Sequence, residues 1–446
     1  MVASVWSQTV ARADDGALRV GGIDVRELAS EYGTPLYVVD EVDFRARAAS
    51  FRDNFAAAFG RHGTTCHVYY ASKALLTSQV TRWMLDEHVN IDVASLGELE
   101  IALRGGMPAD RITLHGNNKA DDELRRALEV GVGHIVVDSF TEINVLSALA
   151  QELGTTAPVL VRVTTGVHAG GHEYIATSHE DQKFGLSLAT GAARDALVAA
   201  HAAPGLDLRG IHTHIGSQIL SIEAFRESAE RMLRLRADFA AESEFEVPVV
   251  DLGGGYAIAY TPDAEALDPA RAAIEIADAV ASALEAAGGS WPVFGIEPGR
   301  AIAGPAGMTL YTVGVVKHVS LDEGGERQYV AVDGGMSDNM RTITYQADYT
   351  ATLAARVSDA KSALSRVVGK HCESGDVVVR DVDLPSDVAR GDLLAVPATG
   401  AYGRVMSSNY NSALRPAVVA VRDGASRLMV RRDTIADLLN LDVPPA

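Results

Sequence analysis

Cysteine is almost absent from this sequence, which contains only Cys66 and Cys372 among its 446 residues. Two cysteines are too few for the disulfide framework that stabilises small secreted proteins. The sequence also lacks any Cys-x-x-Cys pair, a common signature of a structural zinc site. We therefore expect both residues to act as thiols.

Positive charge and long apolar runs are also scarce. Lysine and arginine number 39 against 59 aspartate and glutamate residues, so the formal net charge is −20. This balance argues against a surface for nucleic acid or for an anionic membrane. No run of about 18 apolar residues is present, and residues 1–20 lack the basic and apolar segments of a signal peptide. The sequence predicts a soluble, cytoplasmic protein.

What the sequence does contain, between residues 67 and 300, is a regular alternation of apolar runs with helical stretches. Continuous apolar strands separated by helices are typical of a parallel sheet that is buried on both faces. Eight such units fit a (β/α)8 TIM barrel, and no Gly-x-Gly-x-x-Gly motif supports the rival doubly wound sheet. The predicted strands span residues 67–73, 90–95, 111–116, 134–139, 158–164, 208–216, 247–255 and 292–300.

Nearly every predicted strand ends in polar or glycine residues. The C-terminal ends of the strands form the rim where TIM barrels hold their active sites. We therefore expect the site to lie among Lys73, Asp92, His115, Asp138, Arg162, His214, glycines 253–255, Glu297 and Arg300.

Beyond residue 303 the pattern changes to short β-rich segments that are separated by glycine, proline and aspartate. Such segments are typical of an antiparallel β domain. Residues 1–40 contain similar segments and are expected to join that domain. The predicted organisation is an N-terminal segment at 1–40, a barrel at 41–303, and a mostly antiparallel, β-barrel-like domain completed by 304–446.

The segment VYYASKALL, residues 68–76, places Lys73 within an apolar run. One interpretation is a lysine at a strand end whose amine reaches solvent. The other is a reactive lysine whose ammonium pKa is lowered by burial, so that the amine attacks a carbonyl group. The segment alone leaves both interpretations open.

Two glycine-containing segments, on predicted strands 7 and 8, indicate a bound phosphate and a bound ring. In VDLGGGYAI, residues 250–258, three glycines let the backbone approach a phosphate closely, although a tight structural turn is the alternative. In GIEPGRAIAG, residues 295–304, Glu297 is suited to keeping a pyridine nitrogen protonated and Arg300 to binding an anion. A surface ion pair is the alternative for this second segment.

Two histidines in GIHTHIGSQI, His212 and His214, are expected to share one face of a strand. A metal would need a third ligand, and none accompanies the pair at suitable spacing, so we predict no metal site. Stacking of His214 on a flat cofactor ring is the preferred interpretation.

Loops of the β domain contain further candidates. VVGKHCESGD, residues 367–376, places Cys372 beside Glu373. A buried structural cysteine is the default for a free thiol, but a loop bounded by glycine and serine suits proton donation and recognition of an amine. Neighbouring loops add Arg341, Tyr345 and Tyr402, each of which alone is equally explained by packing.

Together these motifs resemble those of the fold-type III, alanine-racemase-like family of pyridoxal-phosphate decarboxylases. The resemblance runs over nearly the whole chain and rests on YYASKA, HGNNK, HTHIGSQ, DLGGGY, EPGR, VDGGMSDNMR, HCESGD and GAYG with SSNYN, in this order. The most similar members are those that decarboxylate meso-2,6-diaminopimelate. The chain departs from the family pattern at Leu75, where asparagine is frequent, and at Tyr256 and Ala257, where leucine and glycine are usual.

The resemblance implies a role for each matching residue. Lys73 is expected to bind pyridoxal 5'-phosphate covalently, His214 to lie on its ring and Glu297 to face its nitrogen. Further cofactor contacts are implied for Asp92, Ser217, Gly254, Gly255, Pro298, Gly299, Arg300 and Tyr402. Substrate contacts are implied for Arg300, Arg341, Tyr345, Glu373 and Tyr402, and the role of proton donor for Cys372. An obligate homodimer is also implied, with the Cys372–Glu373 loop reaching the barrel of the partner subunit.

The implied reaction is decarboxylation of meso-2,6-diaminopimelate to L-lysine, the last step of lysine biosynthesis. Decarboxylases of ornithine, arginine or carboxynorspermidine are the alternative on the same fold, but Glu373 with Arg341 favours a substrate that has two amino-acid ends. A non-catalytic binding homologue should lack Lys73 or Cys372, and both are present. A racemase needs a second acid/base on the opposite ring face, for which no clear tyrosine stands out.

Overall fold

The computed structural model of the protein describes residues 5–167 and 183–445. The chain divides into two compact units. The β unit comprises Met1–Ala46, Ile258–Glu265 and Ile302–Ala446, and the barrel unit comprises Arg47–Ala257 and Ala266–Ala301. The chain therefore leaves the β unit after Ala46, returns to it briefly at Ile258–Glu265, completes the barrel unit with Ala266–Ala301 and rejoins the β unit at Ile302.

The N-terminal segment contributes short strands and a helix to the β unit. A small antiparallel sheet is formed by β1 (Ala11–Arg12), β2 (Leu18–Val20) and β3 (Ile23–Asp24). Helix α1 (Val25–Tyr32) begins where the Asp24 carboxylate accepts a hydrogen bond from the Arg26 N–H at 2.8 Å. Strand β4 (Leu36–Asp40) and helix α2 (Glu41–Gly60) follow.

The barrel unit contains a closed barrel of eight parallel strands, so the predicted (β/α)8 barrel is confirmed. The hydrogen-bonded order is β9-β11-β12-β13-β5-β6-β7-β8, and β8 also pairs with β9, which closes the ring. Strand β10 pairs with β9 outside the ring. The strands are β5 (Cys66–Ala71), β6 (Asn90–Val93), β7 (Ile112–Leu114), β8 (His134–Val137), β9 (Ala157–Thr164), β10 (Leu186–Ser187), β11 (Leu206–His212), β12 (Val249–Asp251) and β13 (Val293–Ile296).

A helix follows each strand of the ring. Three of these helices begin where a hydroxyl side chain accepts the N–H three residues on: Thr77 from Val80, Ser95 from Glu98 and Ser139 from Glu142. Helices α4 and α6 begin almost directly after their strands. Short connections of this kind fix the rim loops. The helices are α3 (Ser78–Asp86), α4 (Leu96–Arg104), α5 (Asp121–Val130), α6 (Phe140–Leu153), α7 (Ala192–Ala202), α8 (Ile222–Ser243), α9 (Pro269–Ala287) and α10 (Arg300–Ala303).

The C-terminal part of the chain supplies most of the β unit. Its elements are β14 (Gly307–Ser320), β15 (Glu326–Val332), α11 (Arg341–Thr344), β16 (Thr352–Leu353), β17 (Ser362–Val368), β18 (Val377–Pro385), β19 (Leu393–Pro397), β20 (Ala417–Arg422), β21 (Ala425–Val430) and α12 (Ile435–Leu439). The strand order is β18-β17-β15-β14-β4-β20-β21, with β19 on β14 and β16 on β19. Only the β15–β17 and β4–β20 pairs of this sheet are parallel.

Strand β4 explains why the N-terminus belongs to this unit. It lies between β14 and β20, two strands that come from the C-terminal part. All five of its residues are buried, and Leu36 and Val38 pack with Leu310 and Val419 in one apolar cluster. The predicted mostly antiparallel β domain with an N-terminal contribution is therefore confirmed. No helix within residues 5–167 and 183–445 combines the length and apolar character needed to cross a membrane.

Candidate active site

Lys73 lies just beyond the end of β5, in a one-turn 3₁₀ helix formed by Ser72–Ala74. The turn is held in place because the Ser72 hydroxyl donates to Glu98 at 3.0 Å and the Tyr70 hydroxyl donates to the Leu75 carbonyl at 2.7 Å. The strand predicted through residue 73 ends at Ala71. The Lys73 side chain is exposed, which agrees with the interpretation of a lysine at a strand end whose amine reaches solvent. The rim therefore presents an accessible primary amine.

Glu297 follows β13 and meets two buried histidines from other strands. Its Oε1 lies 3.0 Å from Nε2 of His115 and 3.2 Å from Nε2 of His212. Burial lowers the pKa of both imidazoles, to about 4 for His212, so they are neutral at pH 7. Burial alone raises the pKa of Glu297, but the two imidazoles reverse that effect and hold the pKa well below its usual value. Glu297 is therefore a buried, ionised carboxylate.

Two further carboxyl groups of the rim have the opposite charge state. Burial raises the pKa of Asp92 and Asp251 well above the usual range, and the negative charge of Glu297 raises both further. The pKa values of these neighbouring carboxyl groups are therefore shifted in opposite directions, upward for Asp92 and Asp251 and downward for Glu297. Environments that separate the pKa values of neighbouring carboxyls assign them different chemical roles.

The triple glycine after β12 brings backbone amides to the rim. A Cβ on Gly253 would lie 2.2 Å from the Thr213 carbonyl oxygen, and one on Gly254 would lie 2.2 Å from that of Glu297. Side chains are thus excluded here by close packing against neighbouring loops. The Gly254 N–H donates to Nδ1 of His214 at 3.1 Å, which leaves Nε2 as the protonated nitrogen of that buried imidazole.

The 297–300 turn packs against the end of β5. A Cβ on Gly299 would lie 2.7 Å from the Ala71 Cβ, and the Pro298 carbonyl accepts the Ala71 N–H at 3.5 Å. Arg300, at the start of α10, donates from Nη2 to the Ser217 hydroxyl at 2.7 Å. The rim therefore brings together the predicted Lys73, Asp92, His214, Ser217, Gly254, Gly255, Glu297, Pro298, Gly299 and Arg300.

The premise that His212 and His214 share a strand face is wrong. Strand β11 ends at His212, and His214 lies in the following loop. The partner of His212 is His115, whose ring centroid lies 4.8 Å away. From the sequence, His115 is predicted only as a polar residue at the end of a strand, and no role is assigned to it.

Two other rim residues, Asp138 and Arg162, form a buried pair. Nε of Arg162 lies 3.8 Å from Oδ2 of Asp138, whose Oδ1 accepts the Gly185 N–H at 2.6 Å. Their charges face each other, and their other contacts are with residues before β10, since the Arg162 guanidinium carbon also lies 4.3 Å from the centroid of the Phe184 ring. We therefore assign this pair a structural role.

In the β unit, Arg341 is buried among aromatic rings. Its Nη1 donates to the Tyr349 hydroxyl at 2.6 Å, and its guanidinium carbon lies 4.8 Å from the ring centroid of Tyr260 and 5.9 Å from that of Tyr402. In the part of the chain that the structure describes, no carboxylate lies within ion-pair distance of Arg341. A buried cation is costly without a partner, and the rings and the hydroxyl around this guanidinium carry no formal charge. Sequence analysis missed Tyr260 and Tyr349, while Tyr345 is half-buried at the end of α11.

The loop that contains Cys372 and Glu373 is fixed at its base and open at its tip. Asp376 is buried and accepts the backbone N–H of Met336 at 2.6 Å and of His371 at 2.7 Å. The His371 ring lies 2.8 Å from the Ser337 hydroxyl. Cys372 and Glu373 themselves are exposed, so the default interpretation of a buried structural cysteine is wrong.

Tyr256, one of the departures from the family pattern, lies in an aromatic cluster beside the triple glycine. Its ring centroid lies 5.1 Å from that of Phe51 and 5.2 Å from that of Phe225. The hydroxyl is buried and makes no hydrogen bond within the described residues. The departure therefore adds aromatic packing at the cost of one buried polar atom.

Tyr256→Phe is expected to raise the free energy of unfolding by about 1 kcal/mol, because an unsatisfied buried hydroxyl is removed while the ring stays. Denaturant titration of the protein measures this change. Tyr70→Phe is the matched control in the same unit, and it should be destabilising because the Tyr70 hydroxyl donates to the Leu75 carbonyl. A lower free energy of unfolding for Tyr256→Phe would contradict the assignment of an unpartnered hydroxyl.

Comparison with known proteins places these residues in a family. The family model described as pyridoxal-dependent decarboxylase, pyridoxal binding domain, matches residues 43–304. Diaminopimelate decarboxylase of Mycobacterium tuberculosis strain H37Rv is 49% identical over 444 residues, which cover 99% of this chain and 98% of that protein. Diaminopimelate decarboxylase of Bacillus subtilis strain 168 is 45% identical, with 96% of each chain covered.

A solved structure agrees with these relatives. The diaminopimelate decarboxylase of M. jannaschii, crystallised in complex with L-lysine, superposes with a TM-score of 0.88 at 32% identity, and 98% of each chain is covered. The sequence relatives and this structural neighbour therefore match both the barrel unit and the β unit. The chain belongs to the diaminopimelate decarboxylase family of pyridoxal-dependent decarboxylases.

Proposed function

We propose that this protein decarboxylates meso-2,6-diaminopimelate to L-lysine and carbon dioxide, with pyridoxal 5'-phosphate as its cofactor. The observation that carries the proposal is the buried, ionised Glu297 at the same barrel rim as the exposed amine of Lys73. The 45% and 49% identity to diaminopimelate decarboxylases supports the choice of substrate.

The barrel rim fits this cofactor. The backbone at Gly253–Gly255 carries no side chains of its own, and the hydrogen-bonded pair of Arg300 and Ser217 adds a cation and a hydroxyl, a set that suits a phosphate. When bound, pyridoxal phosphate supplies a conjugated ring that accepts the electron pair left by a departing carboxylate. Further proposed cofactor contacts are Asp92, Gly254, Gly255, Pro298, Gly299 and Tyr402.

Three residues of the barrel rim, Lys73, Glu297 and His214, are proposed to have different roles toward that cofactor. The exposed Nζ of Lys73 would hold the cofactor covalently, since it is a primary amine that can attack a carbonyl group. Glu297 holds a proton at the ring nitrogen, because an ionised carboxylate stabilises the cationic form of its partner. His214, fixed by the Gly254 N–H at 3.1 Å, orients the ring by stacking on it.

Arg341 is proposed to bind the distal carboxylate of the substrate. Its guanidinium is buried and forms no ion pair within residues 5–167 and 183–445, and its five donors match a carboxylate bidentately. Ornithine has no distal carboxylate, so this arginine favours diaminopimelate over it. Arg300, Tyr345 and Tyr402 are proposed to contribute further substrate contacts.

The exposed loop of the β unit is proposed to finish the reaction. Cys372 delivers a proton from Sγ to the α-carbon, and the carboxylate of Glu373 binds the distal amine. Asp376 holds this loop against residues 335–337 through its two backbone hydrogen bonds. A loop that is fixed at its ends and exposed at Cys372 and Glu373 is suited to contact a substrate bound in another subunit.

We propose a homodimer in which this loop completes the active site in the barrel of the partner subunit, as in the family that the motifs resemble. The support is the exposure of both Cys372 and Glu373 at the loop tip. We further propose that the protein works in the cytoplasm, because an exposed free thiol with a chemical role requires a reducing compartment.

Tyr349→Phe is expected to raise KM for meso-diaminopimelate about tenfold with little change in kcat, because a hydrogen bond to a charged group is worth about 1.5–3 kcal/mol and part of it is recovered by solvent. The lost hydroxyl is the one that accepts from Nη1 of Arg341 at 2.6 Å. Steady-state kinetics measures the split. Tyr329→Phe is the control, since its ring also lies near an arginine, Arg366, at 6.0 Å, but no substrate role is proposed for it. An unchanged KM would contradict the orienting role of Tyr349.

The proposed function is tested by loading the purified protein with pyridoxal phosphate and supplying meso-diaminopimelate. Carbon dioxide and L-lysine are expected in equal amounts, and protein stripped of the cofactor should produce neither. Absence of carbon dioxide from the loaded, folded protein would overturn the proposal.

A further inference from the structure

The side chain of His371 joins three loops of the β unit. Its Nε2 lies 2.8 Å from the Ser337 hydroxyl, and its Nδ1 lies 3.0 Å from Oδ1 of Asn411. The centroid of the imidazole ring also lies 5.4 Å from that of the Tyr410 ring. This half-buried imidazole therefore contacts the loop before α11 and the loop before β20 from its own place in the loop before β18.

The backbone links the same three loops a second time. The Lys370 N–H donates to the Gly334 carbonyl at 3.0 Å, and the Ser408 N–H donates to the Ser337 carbonyl at 2.9 Å. Each loop also contains or leads to a residue of the proposed site. Those residues are Arg341, at the start of α11, Cys372 and Glu373, directly after His371, and Tyr402, nine positions before Asn411.

The two hydrogen bonds of the ring define its tautomer. The oxygen of an amide side chain only accepts, so Nδ1 of His371 donates to Asn411. In the neutral ring Nε2 then accepts the hydroxyl proton of Ser337. Because both nitrogens are bonded, the ring cannot turn without losing at least one of these bonds.

We propose that His371 is a positioning residue that determines where Cys372 and Glu373 lie. Both of these residues are exposed, so burial does not hold them in place. Asp376 holds the far end of their loop through the backbone N–H of Met336, and the His371 ring holds the near end.

This role rests on the proposed function, in which Cys372 donates a proton to the substrate and Glu373 binds its distal amine. A proton donor has to lie about 3 Å from the atom that it protonates. Misplacement by about 1 Å, even by a residue outside the reacting set, costs up to about 100-fold in rate. His371 acts through its neighbours in the chain and need not touch cofactor or substrate.

The test removes the two bonds of the ring one at a time. At position 371, asparagine places an amide nitrogen near the position of Nδ1, glutamine places its amide near that of Nε2, and alanine makes neither bond. Ser337→Ala removes the Nε2 bond from the other side. His318→Ala is the matched control, because His318 lies 2.8 Å from Glu326 in the same unit and has no assigned role.

His371→Ala is expected to lower kcat about 10- to 100-fold and to raise KM for meso-diaminopimelate several-fold, because Cys372 and Glu373 are both displaced. Cofactor content per folded chain should stay at the wild-type level, since no proposed cofactor contact is changed. His371→Asn and His371→Gln should each keep part of the activity that alanine loses. Adding Ser337→Ala to His371→Asn should cause no further loss, because the two substitutions remove the same bond.

A second readout requires no substrate. Amide hydrogen exchange of peptides that cover residues 369–376 should be faster in His371→Ala than in the wild type, because the loop opens more often. The asparagine and glutamine variants should be intermediate. Exchange in β5 of the barrel should be unchanged, which shows that the fold is intact.

Three results would overturn the positioning role of His371. One is wild-type exchange of residues 369–376 in His371→Ala. A second is faster exchange with wild-type kcat and KM, which would make the link purely structural. The third is a further loss of activity when Ser337→Ala is added to His371→Asn. Absence of carbon dioxide from the wild type would overturn the proposed function itself, whereas these three results arise in comparisons with an active wild type.

Discussion

Lys73→Ala is expected to abolish decarboxylation, with a loss in kcat of about 10⁴-fold or more, because removal of a covalent catalyst leaves only binding and electrostatics. Lys73 is the exposed amine at the end of β5, beside the 297–300 turn. The variant should also lose its covalent link to the cofactor. Borohydride reduction followed by mass spectrometry of the intact chain measures that link directly.

Lys183→Ala is the matched control, since Lys183 is another exposed lysine of the barrel unit to which no role is assigned. It should keep both the covalent link and the activity. A covalent adduct that persists in folded Lys73→Ala would contradict the assignment of Lys73, whatever happens to the activity.

Cys372→Ala is expected to lower kcat by about 10²–10⁴-fold, the range that a positioned proton donor contributes. Cofactor binding should be unchanged, because the role proposed for Cys372 is proton donation to the substrate and not contact with the cofactor. Cys66→Ala is the matched control: this only other cysteine is buried, and burial raises the pKa of its thiol. It should affect stability but not kcat. Activity retained in Cys372→Ala would assign the proton to another group.

Mixing the two inactive variants tests the shared site. In a random mixture of Lys73→Ala and Cys372→Ala subunits, about half of the dimers are mixed, and each of these has one intact site if the loop acts on the partner's barrel. About one quarter of the wild-type activity should therefore return. No recovery from subunits shown to exchange would contradict a site shared between subunits.

Much of the barrel was predictable because apolar strands are visible in the sequence, but their ends were not. The predicted strand 247–255 is only Val249–Asp251 in the structure, and 208–216 ends at His212. The residues beyond each end, LGGG after Asp251 and THIG after His212, turn away to form the rim. Periodicity detects burial, and the turn is set by local hydrogen bonds such as that from the Gly254 N–H to His214.

Burial of single charged residues could not be deduced from their neighbours. The apolar run around Lys73 left its burial open, and its side chain is exposed, whereas the side chain of Lys119, in the polar segment HGNNK, is buried. Its ammonium donates to the carbonyls of Gly116 and Val136 at 2.7 Å and to the carboxylate of Glu142. A lysine that is fully paired in this way is a structural residue, and only three-dimensional contacts reveal it.

The pair of histidines at Glu297 was equally hidden. Polar strand ends marked His115 and Glu297 as rim residues, but their partner choice depends on which strands become neighbours across the barrel. His212 and Glu297 are 85 positions apart in the chain, 297 − 212, and belong to strands separated by β12. His212 and Glu297 come together only when the eight strands close into a ring, and the hydrophobic pattern of a single strand does not specify that closure.

Competition among substrates is the decisive test of the proposed specificity for meso-diaminopimelate. The cofactor-loaded protein is given meso-diaminopimelate, ornithine, arginine and carboxynorspermidine together at equal concentration, and the amine products are quantified. Product ratios then report the ratios of kcat/KM within one reaction. L-lysine is expected as the dominant product, because the buried Arg341 needs a distal carboxylate. Putrescine, agmatine or norspermidine in excess of L-lysine would contradict it.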